Sequence, residues 1–359
     1  MKIIIAAGGT GGHLFPGIAL AEEFKTKNGS NQVLFIGTKR KMEKRILIPQ
    51  GFVFNAIEVT SLKGKNLFAL LKSMVTIPRS IFKSILIIKD FNPDLIIGLG
   101  GYVSGPVVLA ATLMGFKTAI HEQNTLPGLT NRILGKIAHL VFVSFEQSLS
   151  YFPKGKTILT GNPIRKGCSE ASSADHSRST FTLLILGGSL GSHQINCAMI
   201  DALEDLLPIR DKIKIIHQTG EKDYNPVKEA YQNKGFSADV STFIDRIVDA
   251  YQQASLVVSR AGATTLAEMM AQRRASILIP YPLAANQHQH LNARALVNQK
   301  AAIMMDPEHT TGKRLAELIL NLYHHPAYLS EMENNAGRLG RPRAAQDIVD
   351  HCYRLIAQV

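Results

Sequence analysis

Short apolar runs alternate with helix-length segments along this chain, and this alternation restricts the fold more than any other feature. The first run, residues 2–7, ends in two glycines and is followed by a helical pattern from about residue 16 to residue 27. Buried strands separated by helices are typical of a parallel sheet covered on both faces. Further strands are predicted at residues 33–36, 95–97, 117–120, 140–143, 181–186, 214–217, 240–243, 256–259 and 277–280.

The pattern occurs twice, which predicts two domains of similar build. A polar, serine-rich stretch at residues 166–180 interrupts it and has the composition of a linker. The strand followed by GGTGGH, ending at His13, is echoed by a strand followed by GGSLGSH, ending at His193. We therefore predict an α/β protein with doubly wound domains at residues 1–165 and 166–340. The C-terminal helix, at about residues 341–359, is a candidate to pack back on the first domain.

Charge and cysteine content narrow the class of protein. The chain has 40 Lys and Arg against 28 Asp and Glu, net +12; residues 1–165 hold 20 basic and 8 acidic residues, and residues 166–359 hold 20 of each. The excess therefore lies in the first half, which predicts that this half faces an anionic partner. Three dispersed cysteines give neither a disulfide framework nor a zinc cage. With no targeting segment or spanning apolar run apparent, we expect a soluble or peripheral protein.

Four strand-to-helix turns are rich in small residues, and such turns can bind phosphate through main-chain amides and the helix dipole. For any single turn, close packing is the favoured reason for glycine, whereas four such turns at comparable sheet edges together favour a bound phosphate. The Walker A pattern and the dinucleotide fingerprint are both absent. Because Lys39 and Arg40 follow the second strand, an NADP-linked oxidoreductase with two Rossmann domains remains an alternative. The four turns are residues 8–13, 98–102, 187–191 and 260–264.

Several polar residues near these turns are candidates for chemistry. His13 closes the first turn and could remove a hydroxyl proton, although a histidine there could also cap or pack. Glu268 could bind a ribose diol, or form a helix capping box with Thr265. The amide-rich residues 286–290 suit sugar hydroxyls or an exposed helix start. Arg165 could offset the charge of a leaving diphosphate, and no metal motif is apparent.

A basic apolar segment in the first half predicts contact with an anionic membrane. Residues 59–89 contain no acid, and they carry two apolar stripes at helical spacing on either side of Pro78. The alternative is a core-facing stripe with a solvated lysine face. Nucleic acid is not expected, because aromatic residues are not interleaved with the basic ones. The predicted membrane contacts are Leu67, Leu71, Lys72, Met74, Val75, Arg79, Phe82 and Lys83.

Eight motifs, in order along nearly the whole chain, together resemble the MurG family of bacterial UDP-N-acetylglucosamine (UDP-GlcNAc) transferases. They are GGTGGH-x-FPG (8–17), GLGGYVSGP (98–106), HEQN (121–124), GLTNR (128–132), GNPIR (161–165), GGSLG (187–191), FIDRI (243–247) and SRAGATTLAE (259–268).

The resemblance implies a GT-B fold, in which two Rossmann-like domains face each other across a cleft. It implies an inverting enzyme of peptidoglycan synthesis that moves N-acetylglucosamine (GlcNAc) from UDP-GlcNAc to the 4-hydroxyl of undecaprenyl-diphospho-N-acetylmuramoyl-pentapeptide. No cofactor is implied. The implied location is the cytoplasmic face of the inner membrane, with roles in cell shape and division and cell-wall synthesis proteins as further partners.

The resemblance also implies residue roles. His13 becomes the base, Glu268 binds the ribose, Gln289 binds the sugar hydroxyls and Ile244 holds uracil through its backbone, while Ser189 and its turn hold the diphosphate. The full implied donor site is Thr10, Gly11, Gly12, Asn124, Arg165, Ser189, Ile244, Ala263, Thr264, Thr265, Leu266, Ala267, Glu268 and Gln289.

Three positions depart from relatives in the family. Leu190, Ser192 and His288 stand where some members have Gln, Ala and Gln. Backbone contacts should survive the first two changes, whereas a direct donor contact from His288 is put in doubt.

Overall fold

The protein consists of two compact units. The computed structural model describes residues 1–8, 11–39, 41–59, 67–168, 180–188 and 190–357. Internal contacts group Met1–Lys166 with Arg343–Val359 in a first unit and Gly167–Pro342 in a second.

In the first unit, strands and helices alternate from the start of the chain, as the apolar periodicity predicts. Its elements are β1 (Lys2–Ala6), α1 (Gly11–Lys27), β2 (Gln32–Gly37), α2 (Lys41–Leu47), β3 (Val53–Ala56), α3 (Leu67–Phe91), β4 (Leu95–Gly98), α4 (Gly101–Leu113), β5 (Lys117–Glu122), α5 (Leu129–Ile137), β6 (Leu140–Val143) and β7 (Thr157–Leu159).

The first sheet is parallel throughout, with strand order β3-β2-β1-β4-β5-β6-β7. The chain runs outward from β1 to β3, then crosses back to β4 on the other side of β1. This reversal makes a switch point between β1 and β4, the place where doubly wound sheets bind ligands outside the carboxyl ends of the strands. The glycine turns that follow β1 and β4 both lie there.

The second unit repeats this build. Its elements are β8 (Phe181–Leu186), α6 (His193–Leu206), β9 (Ile213–Gln218), α7 (Tyr224–Asn233), β10 (Ser237–Ser241), α8 (Ile247–Gln253), β11 (Leu256–Ser259), α9 (Ala263–Ala271), β12 (Ser276–Leu278), α10 (His288–Val297), β13 (Ile303–Met304), α11 (Gly312–His324) and α12 (Pro326–Leu339).

The second sheet is also parallel and has strand order β10-β9-β8-β11-β12-β13. Its switch point lies between β8 and β11, so the third and fourth glycine turns are neighbours in the same way as the first two. The ten strands predicted from sequence all overlap observed ones. The strands β3, β7 and β13 were not predicted.

The last helix, α13 (Ala344–Ala357), belongs to the first unit. Its buried residues Ile348, Val349 and Cys352 join the apolar cluster that contains Ile3 and Ile5 of β1. The alternate β1 side chains, such as Ile4, belong to a separate cluster on the opposite face of the sheet. The helix therefore completes the covering of one face of the first sheet.

Within the part of the chain that the structure describes, none of the helices combines the length and hydropathy needed to cross a bilayer.

We predict that Ile348→Ala destabilises the first unit by about 2–5 kcal/mol, because it leaves a cavity at a fully buried position. Ile48→Ala is the matched control, since that isoleucine is 58% exposed, and it should change stability by no more than about 0.5 kcal/mol. The chain has no tryptophan, so urea unfolding should be followed by circular dichroism. Equal losses in the two variants would contradict the packing of α13.

Candidate active site

His13 lies in the first turn of α1, at the switch point of the first sheet. Its ring packs against Gly100 and Gly101, which follow β4 and have φ angles of +84° and +69°. A Cβ atom at Gly100 would lie 3.1 Å from His13 Cε1. These glycines are therefore required both by the left-handed backbone and by the space that the imidazole occupies.

A buried polar chain connects His13 to the carboxyl end of β5 and to the residue that follows it. His13 Nδ1 lies 3.2 Å from Gln123 Oε1. The Gln123 side-chain amide donates to the Leu99 carbonyl at 2.9 Å and lies 3.1 Å from His121 Nδ1. His121 Nε2 in turn lies 3.0 Å from the Gly161 carbonyl. Burial lowers the pKa of His121 to about 4, so this ring is neutral near pH 7.

Glu122 organises the adjacent loop from a buried position. Its carboxylate accepts hydrogen bonds from the backbone and side-chain amides of Asn124, from Gly128 N at 3.2 Å and from Asn131 Nδ2 at 2.8 Å. Burial raises the pKa of Glu122, and these hydrogen bonds act in the opposite direction. The side chain of Asn124, a predicted donor contact, is held in place by this carboxylate.

Arg165 lies close to the start of α1. Its guanidinium carbon is 4.4 Å from the centre of the Phe15 ring, a cation–π contact. Gly11 packs on the same ring, because a Cβ there would lie 3.1 Å from Phe15 Cε2. His13, Gly11, Gly12, Asn124 and Arg165 therefore all belong to the first unit, at or next to its switch point. Thr10 lies outside the described residues.

The third glycine turn leads into α6 in the second unit. Gly188 and Gly191 have φ angles of +86° and +77°, and a side chain at Gly191 would clash with the backbone of Thr219. Ser192 is the N-cap of α6, and its hydroxyl accepts from Ile195 N at 3.4 Å. Ser192 thus has a structural role in this chain. Ser189 lies outside the described residues.

Gln218, which was not predicted from the sequence, connects the third glycine turn to the predicted donor contact Ile244. Its amide nitrogen donates to the Gly188 carbonyl at 2.7 Å, and its oxygen accepts from Ile244 N at 2.9 Å. The side chain is 5% exposed. Gln218 takes up the N–H of Ile244, and the carbonyl of Ile244 is the backbone group of that residue that can accept a hydrogen bond. The sequence feature that could have identified Gln218 is its position directly after the predicted strand at residues 214–217.

The residue at which helix α9 begins excludes the helix capping box as the role of Glu268. Gly262 is the N-cap and makes no side-chain cap, while Thr265 is the third residue inside the helix. The capping box between Thr265 and Glu268 is therefore wrong, because a capping box needs the threonine at the N-cap. Glu268 is buried and accepts a hydrogen bond from the Tyr251 hydroxyl at 3.2 Å. The first-turn amides of α9 provide the positive end of a helix dipole.

The amide-rich cluster contains an irregular turn. Asn286 and Gln287 have φ angles of +55° and +52° immediately before α10. Gln289 Oε1 accepts from Tyr281 N at 2.8 Å, which leaves the amide N–H groups of Gln289 to serve hydroxyl acceptors. His288 Nδ1 lies 2.7 Å from the Ala285 carbonyl, so its ring is engaged with the turn.

Arg260, the charged residue of the fourth glycine turn, supports the sheet edge. Its guanidinium donates to the carbonyls of Ile279 and Pro280 at 3.1 and 3.0 Å and to Gln194 Oε1 at 3.2 Å. Burial lowers its pKa. The arginine therefore orders the backbone that leads to Tyr281. Among the described residues, no group of three or more His, Cys, Asp or Glu could hold a metal ion.

The chain matches known families over most of its length. Residues 3–143 match the glycosyltransferase family 28 N-terminal domain, and residues 182–348 match the glycosyltransferase family 28 C-terminal domain. A Myxococcus xanthus relative is 47% identical over 359 residues, covering 100% of this chain and 94% of the relative. A Syntrophus aciditrophicus relative is 46% identical over 357 residues, covering 99% of each. Both carry the name UDP-N-acetylglucosamine–N-acetylmuramyl-(pentapeptide) pyrophosphoryl-undecaprenol N-acetylglucosamine transferase.

Solved structures show the same fold. Acinetobacter baumannii MurG has a TM-score of 0.77 at 30% identity, with 99% of this chain and 100% of that chain covered. UDP-GlcNAc 2-epimerase from Neisseria meningitidis, bound to UDP-GlcNAc, has a TM-score of 0.69 at 14% identity, with 99% and 100% covered. At that identity the likeness shows the fold alone.

Two Rossmann-like units, each matched by a domain of one transferase family, define a glycosyltransferase of the GT-B fold. The full-length similarity to the curated relatives narrows this class further: the chain belongs to the MurG family within glycosyltransferase family 28.

We predict that His121 makes the first unit less stable in acid. Unfolded histidine binds a proton near pH 6.5, whereas folded His121 does so only near pH 4. Between these values the unfolded state binds more protons, so stability falls as the pH falls, by up to about 3 kcal/mol. In His121→Gln this contribution to the pH dependence should be absent.

The measurement is the free energy of unfolding between pH 4 and pH 7.5. The control is His309→Gln, since this side chain is 82% exposed. Identical pH dependence in the wild type and His121→Gln would show that the buried histidine does not supply the effect.

Proposed function

We propose that this protein transfers GlcNAc from UDP-GlcNAc to the 4-hydroxyl of undecaprenyl-diphospho-N-acetylmuramoyl-pentapeptide, with inversion at the anomeric carbon. The observation that carries this proposal is the 47% identity, over the full chain, to a relative named for that transfer. The arrangement of His13 at a switch point, against two glycines and a buried polar chain, supports it. The NADP-linked alternative is not favoured, because the family matches are to transferases.

The second unit would bind the donor. The amides at the start of α9 and the turn before α6 suit the diphosphate, since both present a helix N-terminus. Glu268 would accept hydrogen bonds from the ribose hydroxyls, and the Ile244 carbonyl would accept from uracil. The amide of Gln289, oriented by Tyr281 N, would donate to the sugar hydroxyls.

The first unit would supply the base. His13 would take the proton of the acceptor's 4-hydroxyl as the oxygen attacks the anomeric carbon. The bond from that carbon to the diphosphate breaks as the new glycosidic bond forms, and UDP leaves with both electrons of the broken bond. Helix N-termini and the Arg165 guanidinium would stabilise the charge that develops on the diphosphate. Thr10, Gly11, Gly12, Asn124 and Ser189 complete the proposed donor contacts.

We predict different kinetic effects for substitutions of His13 and Glu268. His13→Ala should lower kcat by about 10²- to 10⁴-fold, the usual contribution of a general base, while the thermal shift produced by UDP-GlcNAc is retained. Glu268→Gln should weaken UDP-GlcNAc binding by roughly 10- to 100-fold, since a charged hydrogen bond contributes about 1.5–3 kcal/mol. Turnover would be measured with labelled UDP-GlcNAc and a lipid-linked acceptor.

The wild type should also be stabilised far more by UDP-GlcNAc than by NADPH. A larger shift with NADPH, or turnover that survives His13→Ala, is incompatible with the proposed reaction.

An apolar groove in the first unit supports attachment to a membrane surface. The groove has a volume of about 290 Å³ and lies between α3, α4 and α5. Tyr102 and Ile133, which line it, are 47% and 57% exposed, and Phe82 on α3 is 63% exposed. A single helix, α3, runs through Pro78. Apolar exposure together with the acid-free basic segment favours an anionic bilayer.

On this basis the protein acts as a peripheral enzyme at the cytoplasmic face of the inner membrane. Peptidoglycan synthesis there would link it to cell shape and division, with other cell-wall synthesis proteins as partners. The structure describes the backbone of the first turns of α3. These turns contain five of the residues predicted to contact the membrane: Leu67, Leu71, Lys72, Met74 and Val75.

We predict that Arg79→Glu combined with Lys83→Glu weakens binding to anionic phosphatidylglycerol vesicles by about 10- to 100-fold. Each basic residue near such a surface contributes about 1 kcal/mol. The matched control is Lys212→Glu with Lys313→Glu, which changes net charge equally at exposed positions of the second unit. Binding would be measured by vesicle co-sedimentation at constant salt. If both double variants bind equally, the first unit does not provide the membrane contact.

A further inference from the structure

Gln123 lies between two histidines of the first unit and contacts both. Its side-chain oxygen is 3.2 Å from His13 Nδ1, and its side-chain nitrogen is 3.1 Å from His121 Nδ1. The same nitrogen donates to the Leu99 carbonyl at 2.9 Å. Gln123 is only 2% exposed, so its polar atoms depend on these partners rather than on bulk water.

The Leu99 carbonyl determines which way the Gln123 amide faces. A carbonyl oxygen can only accept, so the group at 2.9 Å from it must be the NH₂ of Gln123. The amide oxygen is thereby directed to His13. Because that oxygen can also only accept, the hydrogen between Gln123 Oε1 and His13 Nδ1 must belong to His13.

His121 fits the same assignment from two sides. The second N–H of Gln123 is directed at His121 Nδ1, which must therefore hold a lone pair. At the other side, His121 Nε2 lies 3.0 Å from the Gly161 carbonyl, so it must carry the hydrogen. Ser144 Oγ donates to the Glu122 carbonyl at 3.0 Å and lies 3.4 Å from the same nitrogen, where it can accept as well.

We propose that Gln123, itself aligned by His121 and the Leu99 carbonyl, is a positioning residue that holds His13 in the tautomer protonated on Nδ1. The lone pair of His13 then lies on Nε2, and this nitrogen takes the proton of the acceptor hydroxyl. The role assigned to Nε2 rests on the proposed function, whereas the tautomer assignment does not. In water a neutral histidine favours the other tautomer, with its hydrogen on Nε2, so the polar chain selects the less common form.

The neutral state of His121 is essential to this chain of hydrogen bonds. A proton on His121 Nδ1 would oppose the N–H of Gln123 and favour rotation of the amide. Desolvation, which lowers the pKa of His121 to about 4, prevents this near pH 7. When His13 accepts a proton on Nε2 it becomes an imidazolium, and its Nδ1–H continues to donate to Gln123.

The direct test is the ¹⁵N spectrum of the intact protein labelled at histidine, recorded near pH 7.5. Protonated and unprotonated ring nitrogens have well-separated ¹⁵N shifts, and two-bond couplings to the ring hydrogens distinguish Nδ1 from Nε2. Signals would be assigned by their loss in His13→Gln and His121→Gln. We expect hydrogen on Nδ1 of His13 and on Nε2 of His121. Hydrogen on Nε2 of His13 in the wild type would overturn the proposal.

Two substitutions of Gln123 separate its role from simple packing. Gln123→Met keeps the length but has no acceptor, so His13 should revert to the form protonated on Nε2, and kcat should fall by about 10- to 100-fold with little change in KM for UDP-GlcNAc. Gln123→Glu keeps an acceptor towards His13 but loses the N–H that bonds the Leu99 carbonyl, so His13 should retain its Nδ1 hydrogen while the protein loses stability. An unchanged His13 spectrum in Gln123→Met would contradict the proposal.

Gln272→Met provides the matched control. Gln272 is also fully buried and donates to a backbone carbonyl, that of Cys168, at 2.8 Å, but it lies in the second unit. Its loss should leave the His13 tautomer unchanged, and a change there would mean that the spectrum reports general destabilisation. If the histidines have the predicted tautomers but the protein transfers no GlcNAc, only the proposed function is contradicted. GlcNAc transfer with the opposite His13 tautomer would count against the Gln123 proposal alone.

Discussion

In each sheet the first strand pairs in parallel with a strand on either side. This pairing determines which turns lie next to each other at the proposed site. It places the turn after β1 beside the turn after β4, and the turn after β8 beside the turn after β11. Residues far apart in sequence thereby become neighbours: His13 packs against Gly100 and Gly101 only because β1 and β4 are paired. Glycine is needed at such places since a side chain would occupy the space of the neighbouring turn. Much of the chemistry is thus a consequence of strand order.

The fold was largely predictable because its strands are buried on both faces. A fully buried parallel strand must be a continuous apolar run, and such runs are visible in sequence. The strands β3, β7 and β13 were missed because they are short and lie at or near the sheet edges, where β3 alternates exposed and half-buried residues. The residue at which α9 begins could also not be predicted from the sequence. Its start is set by Gly262, three residues after β11 ends, and this places Thr265 inside the helix.

The sequence singled out candidate site residues where a residue type has few other uses. Histidine after a glycine turn and a glutamate early in a helix drew attention because their chemistry is specialised. Gln218 did not, and Gln123 entered only as part of the HEQN motif, because glutamine has no specialised chemistry and the partners of its amide nitrogen here include backbone carbonyls distant in sequence. The partner of the Gln123 amide nitrogen is Leu99, and the partner of the Gln218 amide nitrogen is Gly188. Such contacts exist only once the sheet has formed.

The two units use glutamine in the same way. In each, a buried glutamine at the carboxyl end of a strand donates a hydrogen bond to a backbone carbonyl in a neighbouring turn. The side-chain oxygen of the same glutamine accepts a hydrogen bond from a proposed site residue. That residue is His13 in the first unit and Ile244 in the second. An amide suits this task because it offers a donor and an acceptor without net charge. A glutamate would lack the donor that the carbonyl requires, and burial would penalise its charge. A buried amide therefore lets one rigid backbone carbonyl determine the orientation of a polar group near the proposed site of each unit without adding a net charge there.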